Sequence, residues 1–216
     1  MTAAAKPDRP GATAFVPAGA DPDVLAGALP GCRGCELWGP ATQAVPGEGP
    51  SRARLVLVGE QPGDQEDRAG RPFVGPAGQL LDRALVEAGI DRAEAFTTNA
   101  VKHFRFTVSG KRRIHATPEA AHVAACRPWL DAELETVRPE VVVLLGATAA
   151  KAVYGPSFRI TRQRGEVMPW PSLMADPPVA LATAHPSAVL RAPDDAREQA
   201  YQALVTDLRI AAAALG

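Results

Sequence analysis

The chain has 216 residues, 46% of them apolar, and a net charge of −1. That length can bury a proper core and fits one large domain better than two small ones. The composition excludes disorder throughout, and near-neutrality confines any nucleic-acid contact to a local patch. No run of about 18 apolar residues exists, so no membrane span is expected. The N-terminal stretch lacks the apolar centre of an export signal, which makes the cytoplasm the expected compartment.

Residues 1–27, opening "MTAAAKPDRPGATAFVPAGADP", read as a flexible leader, and residues 28–216 as a single domain. The first chemistry along the chain is "GCRGCELW", with Cys32 and Cys35; Cys126 is the only other cysteine. In a reducing compartment three thiols do not predict a disulfide framework. A CxxC pair ahead of the first strand is badly placed for thioredoxin-type redox chemistry. It could hold a metal or an iron–sulfur cluster, with His103 as a fourth donor. Three unremarkable thiols and a surface histidine are the plainer alternative.

Four runs are almost continuously apolar: Ala53–Gly59, Ala95–Val101, Glu140–Gly146 and Val179–His185. That suits parallel strands buried on both faces. Helical spacing joins Leu80, Leu81, Ala84, Leu85 and Ala88, and again Tyr201, Leu204, Leu208 and Ala211. Thr117 before Pro118 reads as a helix start, running to Cys126 before Pro128 disturbs it. The alternation predicts an α/β fold, a three-layer α/β/α sandwich around a four-stranded parallel sheet. Ligands gather at the carboxyl ends of such strands, which here carry "GEQPGD", "NAVKH", "GATAAK" and "AHPS".

"GEQPGDQEDRAG" is no phosphate loop, since no Gly-Lys-Ser/Thr follows and its acids would repel phosphate. Val108–Pro118, "VSGKRRIHATP", reads as a loop without an apolar stripe, carrying Lys111, Arg112, Arg113 and His115. Charge runs of this kind are usually solvated. His122 is assigned to helix surface or packing.

Taken together, "GEQPGD", "GRPFVGPAG", "NAVKHFRF", "ACRPWL", "LLGATAAKA" and "AHPSAVLR" resemble the iron–sulfur uracil-DNA glycosylases, in order and interval, from about Cys32 to the C-terminus. "KRRIH" and the glutamine of "GEQPG" are similar to the UdgX branch, which stays covalently attached to its product. The resemblance implies a 4Fe–4S cluster on Cys32, Cys35, His103 and Cys126; family 4 enzymes place a cysteine where this chain has His103. It also implies cleavage of the N-glycosidic bond of deoxyuridine in DNA. Single-stranded DNA is the expected preference, and a monomer the expected state.

On the same resemblance Asn99 reads uracil, Phe73 stacks on it and Gln61 helps to bind it. His185 donates to uracil O2 as the bond breaks. Glu60 supports the cationic sugar and accepts a proton, and Asp64 helps to position the nucleophile, while Glu66 and Asp67 are expected to be solvated. Lys111 and Arg112 neutralise phosphates, Ser187 touches DNA, and Leu190, or Val189, fills the gap left by the flipped base. Arg113 orients the loop or meets phosphate. His115 attacks C1′ and ends the cycle in a single turnover. Plainer roles exist: a turn for Asn99, the core for Phe73, a helix cap for His185. The rival functions are a family 4 type hydrolase that uses water and a non-catalytic iron–sulfur DNA-binding module.

Overall fold

The computed structural model describes residues 9–171 and 176–216. Strands β1 (Leu55–Gly59), β2 (Ala95–Asn99), β5 (Val141–Leu145) and β7 (Val179–Thr183) run parallel, within the four apolar runs. The sheet has five strands rather than four, in the order β2-β1-β5-β7-β6. The extra edge strand is β6 (Val167–Pro169), antiparallel to β7. It is three residues long and ends in proline, a residue tolerated at a sheet edge, so it leaves no apolar run to read.

Alternate residues of each strand face opposite layers. Leu55, Leu57, Val141, Val143, Leu145 and Leu181 pack against α3 (Pro76–Glu87) and α8 (Asp194–Ala213). Val56, Val58, Val142, Leu144, Ala180 and Ala182 pack against α4 (Ala120–Val137) and α5 (Ala147–Tyr154). Burial on both sides explains the lack of polar alternation. Each fully buried Val or Leu contributes about 1.5–3 kcal/mol.

Helix α4 starts later than the Thr117–Pro118 signal, with Glu119 as N-cap, and it continues through Pro128 to Val137. His122 caps it from within: its Nδ1 accepts the Glu119 N–H at 3.0 Å, and its side chain is buried. Tertiary packing of Trp129, Leu130 and Leu134 outweighs the single lost backbone bond at Pro128.

Residues 1–8 of the expected leader lie outside the described residues. From Arg9 the chain is packed, so the leader does not extend to residue 27. Ala12 is buried and its N–H bonds the Ala125 carbonyl at 2.8 Å. Helix α1 (Pro22–Ala28) buries Leu25, and with Cys32, Cys35, Cys126 and Trp129 forms a third core cluster against α4. The Ala/Pro composition of this segment hides how few side chains it needs to bury.

The basic stretch is not a loop. It is a hairpin of β3 (Phe106–Ser109) and β4 (Arg112–His115), turning at Gly110 with φ +61°. Among the described residues no helix is long and apolar enough to cross a membrane.

Candidate active site

The order in which strands are added to the sheet reverses between β1 and β5, and a cleft of about 910 Å³ opens at their carboxyl ends. Glu60, Gln61, Phe73, Asn99, His115, His185 and Ser187 all line it. Asn99 ends β2 beside Gly59 of β1, and its side chain is buried. The Phe73 ring lies stacked on His185, with ring centroids 6.2 Å apart. Phe73 has φ +56°, rare for an aromatic residue, and the surroundings enforce it. Gly78 of α3 lets the Phe73 carbonyl approach, where a Cβ would lie 1.7 Å from that oxygen.

Glu66 holds this turn. Its Oε2 accepts the Gly63 N–H at 3.0 Å and its Oε1 the Gly75 N–H at 3.1 Å. It ties the start of α2 (Asp64–Ala69) to the segment that presents Phe73. The expectation that Glu66 is solvated is therefore corrected. So is that for Asp67, which has no exposure and accepts the Thr42 N–H at 3.0 Å.

His185 is the N-cap of α7 (Pro186–Leu190). Its Nδ1 accepts the Ser187 N–H at 3.1 Å, so the proton of the neutral ring sits on Nε2. Burial pushes its pKa down to about 4, against the pull of the Glu60 charge. The ring is thus a neutral donor at pH 7. Gly146, with φ +94°, leaves room for it, since a Cβ there would lie 2.9 Å from the His185 Cβ.

Glu60 lies 3.3 Å from His115 Nε2 through its Oε1, and the Thr148 hydroxyl donates to its Oε2. Burial opposes ionisation of this carboxyl. The hydrogen bonds from His115 and Thr148 outweigh that and hold its pKa below the usual range.

The hairpin carrying His115 is clamped at its base. Gln61 Oε1 accepts the Arg105 N–H at 3.0 Å, and Gln61 Nε2 donates to the carbonyls of Arg105 and Ala116, 3.1 Å each. Both amide hydrogens are spent on the hairpin, leaving none for a base. The 3.0 Å approach of Gln61 Nε2 to His115 Nε2 then has no hydrogen of its own. The imidazole N–H points at Glu60, which can only accept.

Arg113 braces the hairpin side. It donates to Asp64 at 2.5 Å, Asp67 at 2.6 Å and the Thr42 hydroxyl at 2.9 Å, and its guanidinium lies over the rings of Phe104 and Phe106. These partners take its donors inward, away from phosphate. Asp64 reaches His115 only through Arg113, and neither lines the cleft. Lys111 and Arg112 are exposed at the turn. Leu190 is 38% exposed, whereas Val189 is 1% exposed and part of the core, which removes it as a wedge.

Sequence reasoning missed Glu66, Asp67, Thr148 and the Phe104–Phe106 platform. Thr148, two residues past a strand-end glycine, carried the only readable signal.

Cys32, Cys35 and Cys126 are buried free thiols in one core cluster. The Trp129 indole N–H points at the Cys32 sulfur and the Lys102 N–H at the Cys126 sulfur, 3.3 Å each. Burial drives the Cys126 pKa up to about 12. His103 is buried, its pKa lowered to about 4 by burial; Arg33, between the two cysteines of the CxxC pair, is close enough to lower it further. Among the described residues no three His, Cys, Asp or Glu side chains converge on one metal ion. A four-iron cluster takes one donor per iron and spreads its ligands wider than a single ion does. Three sulfurs, two of them already receiving N–H donors, and a neutral imidazole suit such a group in donor chemistry.

A carboxamide, a carboxylate, two imidazoles and an aromatic ring thus line one cleft at the switch point of an α/β sheet. The family model for the uracil DNA glycosylase superfamily matches residues 46–209, and the chain belongs to that superfamily. It is 37% identical over 168 residues to the Type-4 uracil-DNA glycosylase of Sulfurisphaera tokodaii, covering 76% of this chain and 73% of that one. The corresponding enzyme of Thermotoga maritima is 40% identical over 161 residues, 74% of this chain and 78% of its own. That of Pyrobaculum aerophilum is 39% identical over 165 residues, 75% and 81% respectively.

Proposed function

We propose that this chain excises uracil from DNA and then captures the abasic sugar on His115, as in the UdgX branch. The observation that carries the second step is the 3.3 Å approach of His115 Nε2 to the ionised Glu60 at the cleft. Uracil leaves the base stack and enters the cleft, at a cost of a few kcal/mol in duplex and less in single strands. Single-stranded DNA is therefore the favoured substrate, and a monomer suffices. The Asn99 carboxamide accepts from uracil N3–H and donates to O4; cytosine presents the opposite pattern.

As the C1′–N1 bond breaks, its electron pair leaves with uracil, and His185 Nε2–H stabilises the charge on O2. The sugar becomes an oxocarbenium ion. His115 Nε2 bonds to C1′ while its proton passes to Glu60. The products are a neutral N-alkylimidazole, a protonated carboxyl and uracilate, and charge balances.

The rival is turnover by water that Glu60 activates, in line with the Type-4 relatives. The His115 side chain is 47% exposed, so water can reach the same space. A denaturing gel with uracil-containing single-stranded oligonucleotide separates the two. A heat-stable protein–DNA band that His115→Ala removes is expected; abasic product in excess over protein would replace the crosslink with hydrolysis.

A 4Fe–4S cluster held by Cys32, Cys35, His103 and Cys126 belongs to the same proposal. When bound it supplies a rigid crosslink between three separate chain segments. Anaerobic purification should give brown protein with matched iron and sulfide, and Cys126→Ala should lose both. A colourless, iron-free preparation would remove the cluster.

A further inference from the structure

Of the three tryptophans, Trp129 and Trp170 are buried, at 1% and 5% exposure, while Trp38 is 45% exposed. One face of the Trp38 indole is covered: the Arg33 guanidinium lies 4.3 Å from the ring centroid. Arg33 is itself fixed, its Nη1 donating to the Pro30 and Cys32 carbonyls at 2.9 Å each. The result is a rigid cation–indole pair left open to solvent.

Its address matters. Four residues past Trp38, the Thr42 hydroxyl accepts from Arg113 of the hairpin, at 2.9 Å. Four residues of chain reach at most about 14 Å. The pair is thus a few nucleotides' span from the hairpin, whose turn presents the exposed cations Lys111 and Arg112. Neither forms an ion pair among the described residues. Open aromatic rings beside free cations are what single-stranded DNA uses for sequence-tolerant binding.

We propose that Arg33 and Trp38 form a stacking platform for a nucleobase of single-stranded DNA, outside the catalytic cleft, on the strand that passes the hairpin turn. The proposal rests on the reading of DNA as substrate. A base laid on the indole extends the existing guanidinium–indole stack, while Lys111 and Arg112 meet the phosphates between platform and cleft. Two anchors would then hold the strand on either side of the His115 hairpin.

The test titrates a long uracil-free single strand into the protein, followed by tryptophan fluorescence and by anisotropy of a labelled strand. Quenching is expected, because Trp38 alone of the three tryptophans is open. Trp38→Ala should weaken binding about tenfold and Trp38→Phe should retain most of it, with unchanged melting temperatures. Shortening the strand until it only fills the cleft should erase the difference between variants. Lys111→Ala should lower the salt dependence of binding, and Trp38→Ala should not. Equal affinity of wild type and Trp38→Ala for the long strand, or binding without quenching, would overturn the platform. Uracil release from a short uracil-containing strand is scored in parallel. Its absence from the wild type would count against the glycosylase reading, while the titration still decides the platform.

Discussion

The Arg113 guanidinium lies 2.6 Å from the carboxylate of Asp67, a residue with no exposure on a different element. This pair fixes the hairpin to α2 and so sets where His115 stands. Arg113→Ala leaves Asp67 buried without its charge partner, at a cost of about 3–5 kcal/mol. It should slow adduct formation about 100-fold through misplacement of His115, while uracil release changes little. Arg113→Lys should recover only part, because one ammonium cannot grip both acids. Single-turnover gels scored for both products check this; wild-type adduct rates in a folded Arg113→Ala would disprove the bracing.

Gly59→Ala should damage uracil binding from beneath. The new Cβ would lie 2.3 Å from Asn99 Oδ1 and 2.7 Å from Phe73 Cζ, so both proposed uracil contacts must shift. Excision should fall about 100-fold. A titration of rate against oligonucleotide concentration should show the loss in KM as well as kcat.

Leu190 and Val189 separate function from packing on adjacent positions. Leu190→Ala should slow excision from duplex, where a gap must be filled, and leave single strands unaffected. Val189→Ala should instead cost about 2 kcal/mol of stability with little effect on strand preference. Thermal melts together with paired single- and double-strand assays distinguish the two outcomes.

His185 gives a pH prediction. Its folded pKa is about 4, against an ordinary value of 6.5. Between those values the unfolded chain binds the extra proton and the native chain does not, so stability falls as pH drops from 6.5 towards 4. The neutral donor persists over the same window. The acid limb of single-turnover excision attributable to His185 should therefore centre near pH 4; a limb at 6.5 that His185→Asn removes would contradict the assignment.

The sequence exposes what repeats or burns a strong local pattern. Four apolar runs predicted four parallel strands to within two residues, and the spacing of Leu80 to Ala88 predicted α3. The hairpin was hidden because one of its faces, Phe106 and Val108 opposite His115 and Arg113, mixes apolar and charged groups. Cation–aromatic contact there replaces the apolar alternation that marks most strands. Asp67 and Glu66 were hidden for a related reason. A run of acids reads as solvated until the backbone N–H groups and guanidinium that consume it are placed nearby, and those come from residues 42, 63, 75 and 113.

The segment from Arg9 to Ala44 has a practical corollary. The family match begins at residue 46, yet Ala12, Leu25, Leu29, Leu37 and Ala44 share one apolar cluster with Trp129 of α4. A protein cut to the matched boundaries would keep every cleft-lining residue named above and strip the covering from one side of α4. The unit that folds is larger than the unit that family membership recognises.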